Sequence, residues 1–132
     1  MFHHGFKRGE RLKRRKLIDR LFREGKGFTE YPLRVVWLPQ PLDTCYPTQV
    51  TFSVSRKKFR RATQRNLLKR RMREAWRVSK STLYRYLLDG HAQCAIMFIY
   101  IGKEEHKFDF IASKITRSLH RLRKSLRPFV KR

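Results

Sequence analysis

The side chains best suited to chemistry in this chain fall within residues 65–73, which read RNLLKRRMR. An α-helix has ~3.6 residues per turn, so this spacing gathers one group of polar side chains on a single helix face. That face carries Arg65, Asn66, Lys69, Arg70 and Arg73. All but the asparagine are cations, which repel one another unless a polyanion neutralises them. The pattern therefore predicts a helix face that binds a phosphate backbone.

A second face of the same predicted helix is apolar, as packing onto a core requires. It carries Leu68, Met72, Ala75 and Trp76. Thr63 is a suitable N-cap, and the helical spacing continues to about Val78. We therefore predict a helix over residues 63–78 that is anchored by one face and presents the other to nucleic acid.

The overall charge points to the same kind of partner. The chain has 132 residues, with 34 Lys and Arg against 10 Asp and Glu, a net charge of +24 and a pI near 11.3. Such an excess costs folding stability by self-repulsion, and nucleic-acid binding is its commonest explanation. Basic residues occur in every segment rather than on one lipid-facing helix, which disfavours a membrane surface. The 40% hydrophobic content argues against intrinsic disorder.

The sequence offers no metal-ligand spacing and no membrane span. Cys45 and Cys94 are far apart, and the five histidines add no zinc-binding pattern to them. The longest apolar run, residues 94–101, is far shorter than the about 20 residues that a spanning helix needs. No apolar stretch follows the basic N-terminus, so we expect no signal peptide. The resulting prediction is a reduced, cytoplasmic protein with no membrane partner.

The remaining organisation follows from hydrophobic spacing and turn residues. We predict a flexible basic arm, a single domain and a short basic tail, at residues 1–9, 10–127 and 128–132. Within the domain we predict helices at about residues 10–24, 63–78 and 109–126, a further helical piece over 79–88, and strands at 31–38, 50–55 and 94–101.

This order, α-β-β-α-β-α, predicts an α+β fold with one mixed sheet and helices on one face. The second predicted strand alternates, with Thr51 and Ser53 on its polar side. That side has no obvious partner, so part of the sheet should stay open. An open sheet edged by basic helices forms a groove for single-stranded nucleic acid.

Four stretches of the chain resemble the protein subunit of bacterial ribonuclease P. Residues 65–76 match the family's Arg-Asn-x-x-Lys-Arg-x-x-Arg helix, and FSVSRKK at residues 52–58 matches the strand end and basic turn before it. Upstream, LFREGKGF at residues 21–28 looks like the family's first helix and its glycine turn. Downstream, AIMFI at residues 95–99 looks like its last strand. The resemblance covers about residues 10–125, with the elements in the family's order.

The resemblance implies a fold like the second domain of ribosomal protein S5, with a left-handed β-α-β crossover where pattern alone would predict a right-handed one. It also implies that the chain works with the ribonuclease P RNA to remove the 5′ leader of precursor tRNA and give the mature 5′ end. In that family the RNA performs the cleavage, with Mg²⁺ held mainly by the RNA and the substrate phosphates. The chain would then be part of an endoribonuclease without catalytic residues of its own, and no obligate protein partner is expected.

The resemblance further assigns residues to two binding surfaces. For the RNA subunit it implies Arg56, Lys57, Lys58, Arg65, Asn66, Lys69, Arg70 and Arg73. For a leader cleft, it and the open second strand together imply Ile18, Phe22, Arg34, Val36, Thr51 and Ser53. Ile18 stands where the family often has an aromatic residue, so it offers apolar contact but no ring for base stacking. Arg34 is poorly suited to burial, which places it with Val36 in the cleft. Val35 and Trp37 then belong to the core.

Two other functions fit the charge. One is a ribosomal or other structural RNA-binding protein without a role in cleavage, and the other is a basic DNA-binding regulator. No helix-turn-helix pattern of a short turn between two helices supports the regulator. The acids are dispersed, with Glu104 and Glu105 the only adjacent pair, so the sequence shows no hydrolytic site. The predicted contribution of the protein is charge neutralisation and positioning.

Overall fold

A computed structural model describes residues 5–131 of the chain. Its helices are α1 (Arg15–Glu24), α2 (Ala62–Ser79), α3 (Ser81–Asp89) and α4 (Phe108–Ser125), and its strands are β1 (Lys26–Glu30), β2 (Leu33–Pro39), β3 (Thr48–Val54) and β4 (Cys94–Tyr100). Short 3-10 turns at Arg8–Glu10 and Arg127–Phe129 precede and follow these elements. Across residues 5–131, no helix combines the length and the apolar character of a transmembrane span.

The strands form one mixed sheet in the order β1-β2-β4-β3. The β1–β2 and β2–β4 pairs are antiparallel, whereas β3 and β4 run parallel. Parallel neighbours need a crossover connection, which α2 and α3 supply. The single α+β domain with its mixed sheet confirms the predicted fold class. The β3-α2-α3-β4 unit is the β-α-β connection that the family resemblance implies.

One strand, β1, is not predicted by the sequence pattern, because Gly25 and Gly27 indicate only the end of the first helix. In the structure β1 pairs with β2 along its whole length, with Phe28 opposite Val35. Phe28 is buried, and the residues on either side of it are exposed. A single core side chain in so short a segment is too weak an alternation to predict a strand. The ladder with β2 and the burial of Phe28 stabilise it instead.

Helices cover both faces of the sheet, so the predicted one-sided arrangement is wrong. The larger core joins α2, α3 and α4 to one face, which includes Ile96 and Phe98 of β4. A second apolar cluster lies on the opposite face, where Ala95 and Met97 meet Leu21 of α1. The strand β4 is therefore apolar on both sides. An uninterrupted apolar run in a sequence does not show whether one helix layer or two will cover it.

The helix α2 packs by the apolar face that its sequence predicts. The fully buried side chains of this face are Leu68, Met72, Ala75 and Trp76. The Trp76 ring lies 5.6 Å from the ring of Phe98, between centroids. The helix begins at Ala62, and Arg61 rather than Thr63 occupies the N-cap position. Burial of this face fixes which side of α2 meets the solvent.

Segments at both ends of the described chain are docked onto the domain. Residues 5–9 fall within the predicted arm, but they lead into the turn at Arg8–Glu10, and Leu12 donates its N–H to the Val50 carbonyl at 3.0 Å. The helix α1 consequently begins at Arg15 rather than near residue 10. At the other end, Lys131 donates its N–H to the Gly90 carbonyl at 2.9 Å. The rest of the predicted arm and tail, residues 1–4 and 132, lies outside the described residues.

Replacing Leu68 with alanine should destabilise the domain by about 2–5 kcal/mol, because the change leaves a cavity in the core. The matched control is Leu88→Ala in α3, where the side chain is 40% exposed and the cost should stay below about 1 kcal/mol. Denaturant unfolding followed by circular dichroism measures both values. Equal losses in the two variants would contradict the packing of α2 against the sheet.

Candidate nucleic-acid interface

The predicted cationic face of α2 lies on the solvent side of the helix. Asn66 and Arg70 are exposed, and Arg65, Lys69 and Arg73 are half-buried at the margins of the packed face. None of these five side chains is enclosed in the core. Within residues 5–131 none of the four cations forms an ion pair with a carboxylate. Their charge is therefore available to an anionic partner.

Arg65 has a second role that the sequence did not show. Its Nη1 atom donates to the Phe59 carbonyl at 2.9 Å and to the Arg60 carbonyl at 2.8 Å. The guanidinium thus closes the preceding turn onto the first part of α2. Its remaining N–H groups keep donor capacity for a phosphate.

The basic turn before α2 is built on one aromatic anchor. Phe59 is buried against Tyr100, with ring centroids 5.8 Å apart. Ser55 accepts the Phe59 N–H at its carbonyl and the Lys57 N–H at its hydroxyl, both at 3.1 Å. The Lys58 ammonium donates to a backbone carbonyl of the loop after β4 at 2.8 Å. The three predicted cations of the turn, Arg56, Lys57 and Lys58, are exposed.

Other cations of α2 are neutralised within the protein. The Arg71 guanidinium donates to the His106 carbonyl at 2.6 Å and lies 3.6 Å from a Glu105 carboxylate oxygen. Arg77 hydrogen-bonds Glu74 one turn away, and this contact lowers the pKa of the Glu74 carboxyl below its usual value. The helix therefore separates its cations into an internally paired set and an outward set. The outward set consists of Arg65, Lys69, Arg70 and Arg73. These are the four cations of α2 that the sequence predicts to bind RNA.

The sheet face that α1 partly covers carries the predicted cleft residues of β2 and β3. Cross-strand pairing places Val36, Met97 and Thr51 in one row, and Arg34, Ile99 and Ser53 in the next. Neighbouring strands lie about 4.8 Å apart, so each row crosses the sheet as a short ladder of side chains. Within these rows Arg34 and Ser53 are exposed, while Val36 and Thr51 are half-buried.

The predicted register of the strand β2 is confirmed. Val35 and Trp37 belong to the larger core, and Val36 belongs to the cluster on the α1 side. The Arg34 guanidinium lies across Gly27, where an added Cβ atom would meet Nη2 at 2.7 Å. A glycine in β1 thus leaves space for the Arg34 side chain on the open face.

The helix α1 contributes one partly buried and one exposed apolar side chain. Ile18 packs against the α1-side cluster, whereas Phe22 is 63% exposed. Phe22 therefore does not belong to the core of the protein. An exposed ring of this size is available for contact with a base or another apolar group.

A groove of about 170 Å³ lies between the N-terminal segment (residues 5–13), β3 and α2. Its walls include Arg11, Lys13, Thr51 and Arg73. The sequence pattern predicts Arg11 and Lys13 within the first helix, and it gives no reason to place them beside α2. The groove joins the cationic face of α2 to the open face of the sheet.

The described residues contain no group of three or more His, Cys, Asp or Glu side chains that could hold a metal ion. The expectation that Mg²⁺ is held mainly by RNA stays a prediction.

Comparison with known proteins gives one consistent result. The family model described as Ribonuclease P matches residues 6–123. The Ribonuclease P protein component of Porphyromonas gingivalis is 36% identical over 118 residues, covering 89% of this chain and 86% of that protein. The protein of the same name from Chlorobium phaeobacteroides is 32% identical, with coverages of 88% and 86%.

Solved structures agree with the sequence comparisons. The RNase P protein from Thermotoga maritima superposes with a TM-score of 0.66 at 26% identity, covering 85% of this chain and 96% of that chain. The Staphylococcus aureus RNase P protein gives a TM-score of 0.58 at 23% identity, with coverages of 87% and 93%. At that lower identity the likeness shows the fold alone.

Replacing Arg65 with lysine should loosen the basic turn, because the lysine side chain is one atom shorter and its ammonium does not reach the position that Nη1 occupies between the two carbonyls. Hydrogen exchange at the Phe59 amide should become about tenfold faster, as expected for losing roughly 1–2 kcal/mol of local stability. Arg70→Lys is the control, since Arg70 is exposed on the same helix. Unchanged exchange in Arg65→Lys would show that these contacts do not hold the turn.

Proposed function

The chain belongs to the ribonuclease P family, and we propose that it binds the catalytic RNA and the 5′ leader of precursor tRNA. The observation that supports this most directly is the adjacency of two different surfaces. One is the outward cationic face of α2, and the other is the open sheet face beside α1. A groove lined by Arg73 and Thr51, one residue from each surface, connects them.

The α2 surface suits a folded RNA. Its cations lie on a rigid helix, so the spacing of their backbone positions is fixed before binding, and only the side chains are left to be ordered. Arginine predominates, and its planar fork matches phosphate oxygens better than an ammonium does. The basic turn extends the same surface with Arg56, Lys57 and Lys58. We assign these residues, together with the outward set of α2, to the RNA subunit.

The sheet surface suits an extended strand. Its two rows offer a guanidinium at Arg34, hydroxyl groups at Thr51 and Ser53, and apolar contact at Val36, with Phe22 exposed on the neighbouring helix. Single-stranded nucleic acid is commonly held by such a combination of cations and stacking rings. A duplex would present paired and stacked bases and could not use the exposed ring in this way. We therefore assign this surface to the leader.

The protein contributes binding and orientation to the reaction, and the cleavage chemistry belongs to the RNA with its Mg²⁺. Holding the leader beside the RNA subunit would make the precursor bind more tightly than the mature product, which has lost those contacts. The cations also lower the repulsion between the phosphates of the two RNAs. Precursor tRNA is made in the cytoplasm, where we expect the protein to act.

Reconstitution tests this function directly. The protein is mixed with a bacterial ribonuclease P RNA and a 5′-extended precursor tRNA at low Mg²⁺, with each component omitted in turn. We expect stimulated release of the leader only when the RNA and the protein are both present. Cleavage by the protein alone, or no stimulation, would reject the assignment. Binding to ribosomal RNA without any effect on leader removal would favour a structural RNA-binding protein.

Replacing Arg70 with alanine should weaken binding of the RNA subunit by roughly tenfold to a hundredfold, because a charge-assisted phosphate contact is lost. The slope of log affinity against log salt should fall by about 0.7–0.9, the value of one phosphate. Arg117→Ala on the exposed side of α4 is the matched control and should change neither quantity. An unchanged slope in Arg70→Ala would show that this side chain does not touch a phosphate.

Replacing Phe22 with alanine should weaken precursor tRNA binding by the holoenzyme about fivefold to a hundredfold, the value of one stacked base. Mature tRNA, which lacks the leader, should bind as before. Phe108→Ala removes another exposed aromatic side chain, 36% accessible and on α4, and is the control. Equal losses for precursor and mature tRNA would contradict a leader contact at Phe22.

A further inference from the structure

We propose that a buried ion pair, Glu10 with Lys80, is the positioning device that holds the basic N-terminal segment against the RNA-binding helix. The segment comprises residues 5–13, and its first part, residues 5–9, belongs to the arm at residues 1–9 that the sequence predicts to be flexible. The RNA-binding consequence rests on the proposed function, whereas the docking itself does not.

The pair is enclosed, and both of its members are hydrogen-bonded. Glu10 is 1% exposed and Lys80 is 2% exposed. The Lys80 ammonium donates to the Glu10 carboxylate and to the Gly5 carbonyl. The same carboxylate accepts from the Tyr84 hydroxyl at 2.6 Å and from the Lys7 N–H at 2.7 Å. Each charge is thus paired with the opposite charge and has at least one further hydrogen-bond partner inside the protein, as burial of an ion pair requires.

The position of Lys80 makes the contact a link between distant segments. Lys80 lies at the junction where α2 ends and α3 begins. Tyr84 extends the link to β3, because its hydroxyl accepts from the Thr48 hydroxyl at 2.8 Å. The carboxylate of Glu10 therefore connects the N-terminal segment to α2, α3 and the sheet. A charge buried in this way has one favourable location, so it specifies where the segment docks.

Docking continues along the segment from this anchor. Leu12 donates its N–H to the Val50 carbonyl at the edge of the sheet, and Phe6 packs edge-on against Phe52 with ring centroids 5.9 Å apart. The Arg11 guanidinium lies over the Phe6 ring at 5.3 Å. These contacts bring the cations of the segment to the groove that also contains Arg73.

Docking of the segment occurs in spite of electrostatic repulsion between its cations and Arg73. Arg11 and Lys13 line the same small groove as Arg73, and no carboxylate lines it. Like charges this close disfavour the docked position unless other contacts offset them. The buried pair supplies such a contact. We infer that it keeps Arg11 and Lys13 in place for RNA phosphates before RNA arrives.

The test removes the pair without leaving an unpaired buried charge. The double variant Glu10→Ala with Lys80→Met loses both charges, and the methionine retains most of the lysine volume. We expect amide exchange at residues 7–12 to become at least about tenfold faster, while exchange in β2 and β4 stays unchanged. Unchanged exchange at residues 7–12 would overturn the proposal.

A thermodynamic cycle tests the link to RNA. Arg11→Ala with Lys13→Ala removes the positioned cations directly, and it should lower the salt slope of RNA binding by about 1.4–1.8, the value of two phosphates. If the pair acts through these cations, adding Glu10→Ala and Lys80→Met should weaken binding no further. Additive losses would show that the pair does not act through Arg11 and Lys13.

The outcomes separate this inference from the proposed function. Failure of the wild-type protein to bind the RNA subunit would reject the proposed function and the RNA part of the inference, while hydrogen exchange would still decide the docking. If the double variant does not fold, Tyr84→Phe removes one donor to Glu10 without unpairing a charge. That variant should speed exchange at residues 7–12 more than exchange in β4. No difference between the two regions would contradict the proposal.

Discussion

The burial of one face of α2 is the constraint on which the rest of the structure depends. Leu68, Met72 and Trp76 are fully buried in the larger core, and this fixes the rotation of the helix about its axis. Side chains on the opposite side of the helix must then face the solvent. A helix free to rotate would not keep its cations together on one surface. Hydrophobic packing of the apolar residues of α2 therefore determines where the charged residues of the same helix lie on the protein surface.

Charge in this protein is divided rather than uniform. Some cations, such as Arg71 and Arg121, are held by nearby acids and carbonyl groups. Lys80 is buried with its own carboxylate. The cations of the outward α2 face have no such acidic partner among residues 5–131. A net charge of +24 alone would not reveal this division, because it depends on which few acids lie close to which cations.

The sequence predicts features that repeat at a fixed spacing, and it misses features that depend on distant partners. The faces of α2 and the core position of Trp37 follow from periodicity, and both predictions are confirmed. The strand β1 offers only one core side chain, and the placement of α1 on the second face depends on packing against β4. The Glu10–Lys80 pair joins residues 70 positions apart. Its one signal in the sequence is a lone acid within a basic segment.

Site-directed crosslinking tests the central claim, that two adjacent surfaces bind two different RNAs. Cys45 is exposed, so it is first replaced by serine. Cys94 can stay, because its burial raises the pKa of its thiol to about 12 and keeps the thiol unreactive. A photoreactive probe is then attached to Arg70→Cys, Ser53→Cys or, as a control, Arg117→Cys in the assembled complex. We expect the probe on α2 to label the RNA subunit, the probe on β3 to label the leader, and the control to label neither. Equal labelling from all three positions would contradict the account.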